Sequence, residues 1–301
     1  MPQHRDDSVP KRSDEPLLSI CIPTYNRAAK LKRQLMAVLE QTRTLDDVEI
    51  LVSDNCSGDD TGRVCAEFSG LGFRINRNET NIGSVRNINK LFELARGAYI
   101  WFLADDDILD QGTVKRVLSL LEQKRPALLY LNHRVVDGKT GATKIEHLLD
   151  PHGANFYPKG QQGVDEVSRQ RLSQFMFISA CIYRQSDLAK AIAMGRELAA
   201  PLRYSLYCAS RPGGVAIVRE VSLTNVWGDI SWANESRKVH AEMVPKIILQ
   251  MPCFGYRTSF MLSILIRYIG RDYKDFIQYW IPVSLRVKRL IDRLVGHRPA
   301  A

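Results

Sequence analysis

The residues best placed to do chemistry stand side by side at Asp105, Asp106 and Asp107. They follow Ile100-Trp101-Phe102-Leu103-Ala104, a run with no polar interruption, which reads as a buried strand. Three adjacent carboxylates raise one another's pKa unless a cation joins them. Their hard oxygens suit Mg²⁺ or Mn²⁺. An ion held there would take the diphosphate of a nucleotide as its remaining ligands. The position agrees, because open α/β sheets bind ligands just beyond the carboxyl ends of their strands. A bare acidic triplet also fits a solvated turn before a helix, so the rest of the chain must decide.

Two more polar loops follow apolar runs. Pro23-Thr24-Tyr25-Asn26-Arg27 comes after Leu17–Ile22, and Asp54-Asn55-Cys56-Ser57-Gly58-Asp59-Asp60 after Val48–Ser53. Tyr25 suits stacking on a base, and Thr24 and Asn26 suit hydrogen bonding. Asp54 suits accepting from a base N–H or a ribose hydroxyl. Asn81-Ile82-Gly83 opens a further helix, and Arg86 in its first turn suits pairing with phosphate. Taken singly, each is equally a turn residue or a solvated helix charge. Together they place complementary groups on loops that a parallel sheet brings to one edge.

The elements that must position them are legible from periodicity. Apolar residues at Leu31, Leu35, Val38 and Leu39 mark a helix over 28–42. Val64 to Phe68 marks a short one, and Val85, Ile88, Leu91, Phe92 and Ala95 another, ended by Gly97. Thr113 caps a fourth with Val114, Val117, Leu118 and Leu121 on one face. A weak strand is expected at 73–75 and a stronger one over 127–136. Strand and helix alternate about four times in the first 135 residues, which predicts a parallel sheet with helices on both faces. Beyond Val136 the pattern loosens. Residues 174–183 read as a buried strand, 186–194 and 198–209 as helices, and 213–226 as a strand or hairpin. From Glu235 on, 243–251, 256–269 and 283–295 read as helices rich in apolar and basic residues.

Composition bounds the partners. The 301-residue chain has 45% hydrophobic and 25% charged residues, as a globular protein should. Its net charge of +9 is lopsided: from Arg237 onward 12 Lys/Arg face 4 Asp/Glu. That segment suggests an anionic partner, and with Phe254, Tyr256, Phe260, Tyr279 and Trp280 it suits an anionic membrane surface. The alternative is an amphipathic cover whose Lys and Arg face water. Six scattered cysteines with no CxxC read as reduced thiols. Residues 1–15 lack an apolar leader core and read as a disordered lead-in. No stretch reaches about 18 uninterrupted apolar residues, so no spanning helix is expected. The expected location is cytoplasmic, peripheral on the cytoplasmic face of the inner membrane.

Four blocks carry a resemblance: Ser19–Arg27, Ile50–Asp59, Asn81-Ile82-Gly83 with Arg86-Asn87, and Gly97–Asp107. In this order and spacing they resemble the nucleotide-sugar half of inverting family 2 glycosyltransferases. The resemblance implies a GT-A fold (α/β, a mostly parallel sheet flanked by helices). It divides the chain into a glycosyltransferase domain at 16–230, with donor half 16–135 and acceptor half 136–230, and a helical basic extension at 231–301. It implies donor contacts from Pro23, Thr24, Tyr25, Arg27, Asp54, Asn81, Arg86, Asp105 and Asp106, and metal ligation by Asp105 and Asp107. Ala104 stands where the family commonly has an aspartate; Asp106 and Asp107 align with the usual pair, while Asp105-x-Asp107 also satisfies the DxD pattern. Phe177–Arg184 more loosely resembles a strand of bacterial O-antigen-type transferases, including abequosyltransferase-like members.

Inverting chemistry needs a base beside the acceptor hydroxyl. Asp229, between Trp227 and Trp232, is the first candidate, with a turn residue as the competing assignment. Glu197 is the second and His133 a distant third. The implied reaction moves a sugar from a nucleotide-diphosphate donor to a glycan or lipid-linked acceptor in bacterial surface polysaccharide synthesis. A nucleotidyltransferase would favour a Gly-rich loop after the first strand, and residues 23–27 have none. A nucleic-acid-binding protein would spread its basic residues across the binding face, whereas here the excess sits in the C-terminal segment.

Overall fold

The computed structural model describes residues 15–227 and 233–280, with side chains described throughout except at 233 and 272–280. Ten strands make one sheet: β1 (Leu18–Thr24), β2 (Val48–Asp54), β3 (Arg74–Arg77), β4 (Tyr99–Phe102), β5 (Ile108–Leu109), β6 (Leu128–Asp137), β7 (Thr143–Ile145), β8 (Phe156–Tyr157), β9 (Cys181–Arg184) and β10 (Val215–Trp227). The spatial order is β3-β2-β1-β4-β9-β6-β10-β5, with β7 on β6 and β8 on β10. β1, β2, β3 and β4 pair in parallel, as do β6 and β10, while β9 runs against both neighbours.

Helices cover both faces. On one, α1 (Ala28–Thr42), α2 (Thr61–Ser69) and α4 (Thr113–Lys124) bury Leu31, Leu35, Phe68, Val117 and Leu121 against Ile20, Val52 and Trp101. On the other lie α3 (Ser84–Leu94), α5 (Gly160–Gln170), α6 (Gln185–Ala193) and α7 (Ala200–Ala209). After the short α8 (Ser236–Lys238), α9 (Val244–Leu249) and α10 (Thr258–Trp280) add Val244, Ile248, Phe260 and Ile264 to that same core, and the segment between them adds Phe254 and Tyr256. Phe254, Tyr256 and Phe260 are thus buried, not at a bilayer interface, and the Tyr256 hydroxyl donates to the Leu206 carbonyl at 2.7 Å. The side chains of Tyr279 and Trp280, and the helix expected at 283–295, lie outside the described residues.

Three local expectations change. Residues 174–180 form tight turns (Leu172–Met176 and Ile178–Ala180) before the short β9, and in them Gln174 bonds His133 and Ser179 bonds Asp107. Helix α3 stops at Leu94 with Ala95 as its cap. Gly97 serves another purpose: a Cβ there would lie 2.5 Å from Ser19 N. Helix α4 is capped by Gly112 at φ 73°, and Thr113 instead donates its hydroxyl to the Ser222 carbonyl at 3.0 Å.

Candidate active site at the carboxyl edge

β1, β2 and β4 end at one edge of the sheet, and their loops meet there. β1 runs through Pro23 because its pairing with β4 stops at Cys21. Cys21 O accepts from Leu103 N on that side, and Pro23, two residues on, faces the same side where no ladder bond is required of it. Asn26 then takes the left-handed conformation, φ 52°. Its Oδ1 accepts from Gly58 N at 2.8 Å, and its own N–H donates to Ser57 Oγ at 2.8 Å. This ties the first loop to the second and leaves Tyr25 43% exposed at the tip, with its ring available for stacking.

Asp54 is buried with both oxygens engaged. Oδ1 accepts from Ser57 N at 2.9 Å, closing the turn, and Oδ2 accepts from Arg77 at 2.6 Å. A carboxylate has about four lone-pair sites, so these bonds leave capacity for a ligand N–H. Beside it runs an asparagine network that sequence reasoning passed over. Asn55 Oδ1 accepts from Asn78 Nδ2 at 3.0 Å and Ile82 N at 3.0 Å, while Asn55 Nδ2 donates to Asn81 Oδ1 at 2.8 Å. Asn87 links Ser53 to Asn78. Asn81 therefore shapes the entry to α3, its Oδ1 also accepting from Gly83 N at 2.9 Å. Arg86 is exposed in the first turn of that helix, and among the described residues it makes no ion pair.

The acidic triplet fans out. Asp105 is buried, accepting from Thr24 Oγ1 at 2.7 Å and Arg27 Nη1 at 3.0 Å. Asp106 pairs with the same Arg27 nitrogen at 2.8 Å and with Lys30 at 3.6 Å. Helix α1 supports the turn from below: Arg33 donates to Asp106 O and Gln34 to Ala104 O. Asp107 is held by a different segment, accepting from Ser179 Oγ at 2.6 Å; the same hydroxyl accepts from Ala104 N, and Ser179 O accepts from Trp101 Nε1 at 2.8 Å. Burial raises the Asp105 carboxyl above the usual range. Burial, with the two neighbouring carboxylates adding to it, pushes Asp107 up to about 8.

These groups fit a hard divalent ion. The oxygens are of the right kind, and a carboxyl forced up by burial and by its own neighbours is one that a cation would stabilise as the anion. Among the described residues no three His, Cys, Asp or Glu side chains converge on one point, so phosphate and water oxygens would have to complete the shell, as Mg²⁺ prefers.

The candidate bases are placed elsewhere. Asp229 lies outside the described residues. Glu197, between α6 and α7, grips Arg203 with both oxygens, Oε2 at 2.9 Å from Nη1. Arg203 is buried, so Glu197 serves as its countercharge. His133 lies in β6, fully buried. Its Nδ1 lies 3.3 Å from Leu131 O and its Nε2 3.2 Å from Gln174 Oε1, and its ring packs on Phe177. Burial holds it down to about 4. A neutral ring sealed in the core has no access to an acceptor hydroxyl.

A mixed sheet in this order, parallel over β3-β2-β1-β4 and flanked by helices, with polar loops at its carboxyl edge, defines a GT-A fold. The S. aureus TarS structure (residues 1–349) superposes with a TM-score of 0.68 over 90% of this chain and 76% of that one, at 17% identity. Mannosyltransferase PcManGT from Pyrobaculum calidifontis, in complex with GDP-Man and Mn²⁺, superposes with a TM-score of 0.60 over 97% of this chain and 84% of that one, at 14% identity. Residues 19–191 match Glycosyl transferase family 2, and the chain belongs to that family. Abequosyltransferase RfbV of Salmonella typhimurium is 34% identical over 139 residues, which are 45% of this chain and 40% of RfbV. Three of the curated relatives, RfbV among them, are matched over 37%, 40% and 38% of their own length.

Proposed function

We propose that this protein is a glycosyltransferase that moves a sugar from a nucleotide-diphosphate donor to a glycan or lipid-linked acceptor in bacterial surface polysaccharide synthesis. The observation that carries this reading is the meeting of the loops bearing Tyr25, Asp54 and Asp105–Asp107 at one sheet edge, held by bonds between segments up to 81 residues apart. Tyr25 stacks on the base, Asp54 accepts from the base or ribose, and Arg86 pairs with the diphosphate. Asp105 and Asp107 would hold Mg²⁺ or Mn²⁺, which when bound offsets the charge gathering on the leaving diphosphate. The acceptor hydroxyl attacks the anomeric carbon as the bond to the diphosphate breaks, and its proton passes to a carboxylate base, for which Asp229 is proposed. An anionic bilayer on the cytoplasmic face of the inner membrane is the third partner in this reading.

The RfbV and PcManGT names support the class of reaction and of donor. Calorimetry with nucleoside diphosphates, with Mn²⁺ and then with EDTA, tests it. Saturable binding of one nucleotide that EDTA weakens is the expected result. No binding of any nucleoside diphosphate would overturn the reading, and binding indifferent to EDTA would overturn the metal assignment.

A further inference from the structure

One nitrogen of Arg27 does what a cation joining two carboxylates does. Its Nη1 donates to Asp105 Oδ1 at 3.0 Å and to Asp106 Oδ2 at 2.8 Å, one hydrogen for each. Lys30 stands 3.6 Å from the same Asp106 oxygen. The other Asp105 oxygen accepts from Thr24 Oγ1 at 2.7 Å. Asp105 is buried, so it keeps a negative charge through the hydroxyl and the guanidinium that hold it. An ion ligated by Asp105 therefore meets a carboxylate that already has its cation. Two positive groups on one oxygen repel strongly where water is scarce, so the ion and the guanidinium compete for Oδ1.

Arg27 is built so that its side chain moves while its backbone stays. It stands at the head of α1, its N–H donating to Thr61 Oγ1 at 3.3 Å and its carbonyl accepting from Leu31 N at 2.9 Å. The side chain is 27% exposed, and its rotatable stem lets the guanidinium turn without disturbing the helix. Two residues earlier Tyr25 stands open at the loop tip, so the guanidinium borders the edge along which a donor would lie. A diphosphate there offers paired oxygens to the planar fork of an arginine. Asp106 keeps other holds when Arg27 turns away: Lys30 beside its carboxylate, and Arg33, which donates to its carbonyl at 3.2 Å.

We propose that Arg27 is the resident counter-ion of Asp105 and Asp106, and that a divalent ion binds by exchange with it, releasing the guanidinium to the diphosphate of the donor. This rests on the metal assignment of the proposed function and adds an order to it. Without a nucleotide, the ion must expel a guanidinium held by two charge-assisted bonds. With a nucleotide, the guanidinium has a second anion to take. Ion and nucleotide therefore strengthen one another's binding through a residue of the chain, beyond their own direct attraction. Arg27 is a positioning residue here: it holds Asp105 and Asp106 together until the ion takes over.

The test is a Mn²⁺ titration of the full chain without nucleotide, read by the electron paramagnetic resonance signal of free Mn²⁺. Arg27→Gln should bind Mn²⁺ at least about tenfold more tightly than wild type, since a charge-assisted competitor is gone. Arg33→Gln removes a charge from the same helix but none from between the carboxylates, and should tighten binding only about twofold. A gain of affinity is the discriminating result, because loss of a merely structural clasp would weaken the site. A second measurement needs no folded glutamine variant. In wild type the Arg27 Nε–Hε resonance, assigned as the peak missing from Arg27→Lys, should shift when Mg²⁺ saturates the protein. Equal or weaker Mn²⁺ binding by Arg27→Gln, or a resonance unmoved by saturating Mg²⁺, would overturn the exchange and leave the metal assignment standing. No Mn²⁺ binding by wild type or variant, with or without UDP, GDP or CDP, would overturn both.

Discussion

The donor edge and the sheet's second half use the same kinds of side chain to opposite ends. At the edge, Asp105, Asp106 and Asp107 crowd together, one of them pushed up to about 8, with Arg27 between two of them. From β6 onward two buried arginines are each matched inside the protein. Glu197 neutralises Arg203, and Glu166 neutralises Arg219, which also donates to the Ala154 and Asp150 carbonyls. His133 is sealed against Gln174 and Phe177. The difference teaches that a polar residue's type says little about its task; what matters is how the fold crowds or matches its charge. Three carboxylates crowded at a sheet edge around one arginine and one lysine invite a ligand, whereas one-to-one pairs under a helix layer hold that layer in place.

The contrast can be broken most severely at Asp107. Asp107→Asn keeps an acceptor for Ser179 but removes the carboxyl that a bound cation would stabilise as the anion. Sugar transfer should fall by two to three orders of magnitude, about 3–4 kcal/mol, with the melting temperature held or raised, since a buried carboxyl disappears. Activity near wild type would place the triplet with the structural charges.

In the second half, acid should expose His133. Its pKa is about 4 when folded against about 6.5 when unfolded. The stability of the neutral buried ring is therefore fully present above about 6.5 and is lost as pH falls through 4, up to about 3 kcal/mol. Denaturant titrations at pH 7.5 and 4 should show this loss in wild type and less of it in His133→Gln. Identical pH dependence in the two proteins would mean that the ring is not sealed.

Glu197→Gln separates countercharge from base. Leaving Arg203 half-paired should cost about 2 kcal/mol of unfolding free energy, with kcat changed less than tenfold. A thousandfold loss of kcat at unchanged stability would restore Glu197 as the base.

The smallest effect sharpens the edge itself. Asp54→Asn can keep Ser57 in its turn but loses the full charge facing Arg77. Nucleotide affinity should weaken by about 1.5 kcal/mol, measured by calorimetry, and equal affinities would make Asp54 a turn residue alone.

The edge was legible in the sequence because each of its loops is a contiguous block directly after an apolar strand, so the chemistry and its location are read together. The partners of those blocks were not. Ser179 meets Asp107 across 72 positions, and nothing in its neighbourhood marks it; an apolar run of that length reads as strand until the hydroxyl's two bonds are seen. Arg27 was visible as a polar loop residue, but its role in balancing Asp105 and Asp106 depends on where the first turn of α1 aims it. The burial of Phe254, Tyr256 and Phe260 shows the complementary limit. Periodicity identifies an apolar face, but the neighbouring α7 decides whether protein or solvent covers it.

One bond described above has an optical consequence. Trp101 is fully buried, and its indole N–H is spent on the carbonyl of Ser179, the residue whose hydroxyl grips Asp107. Excitation at tryptophan wavelengths thus interrogates an indole two hydrogen bonds from the acidic triplet. Because the ring is shielded, iodide should quench Trp227, which is 37% exposed, and spare Trp101. Emission should shift when an ion or nucleotide draws on Asp107, and Trp101→Phe should abolish that shift, so the chain carries its own label-free fluorescent reporter of donor-edge occupancy.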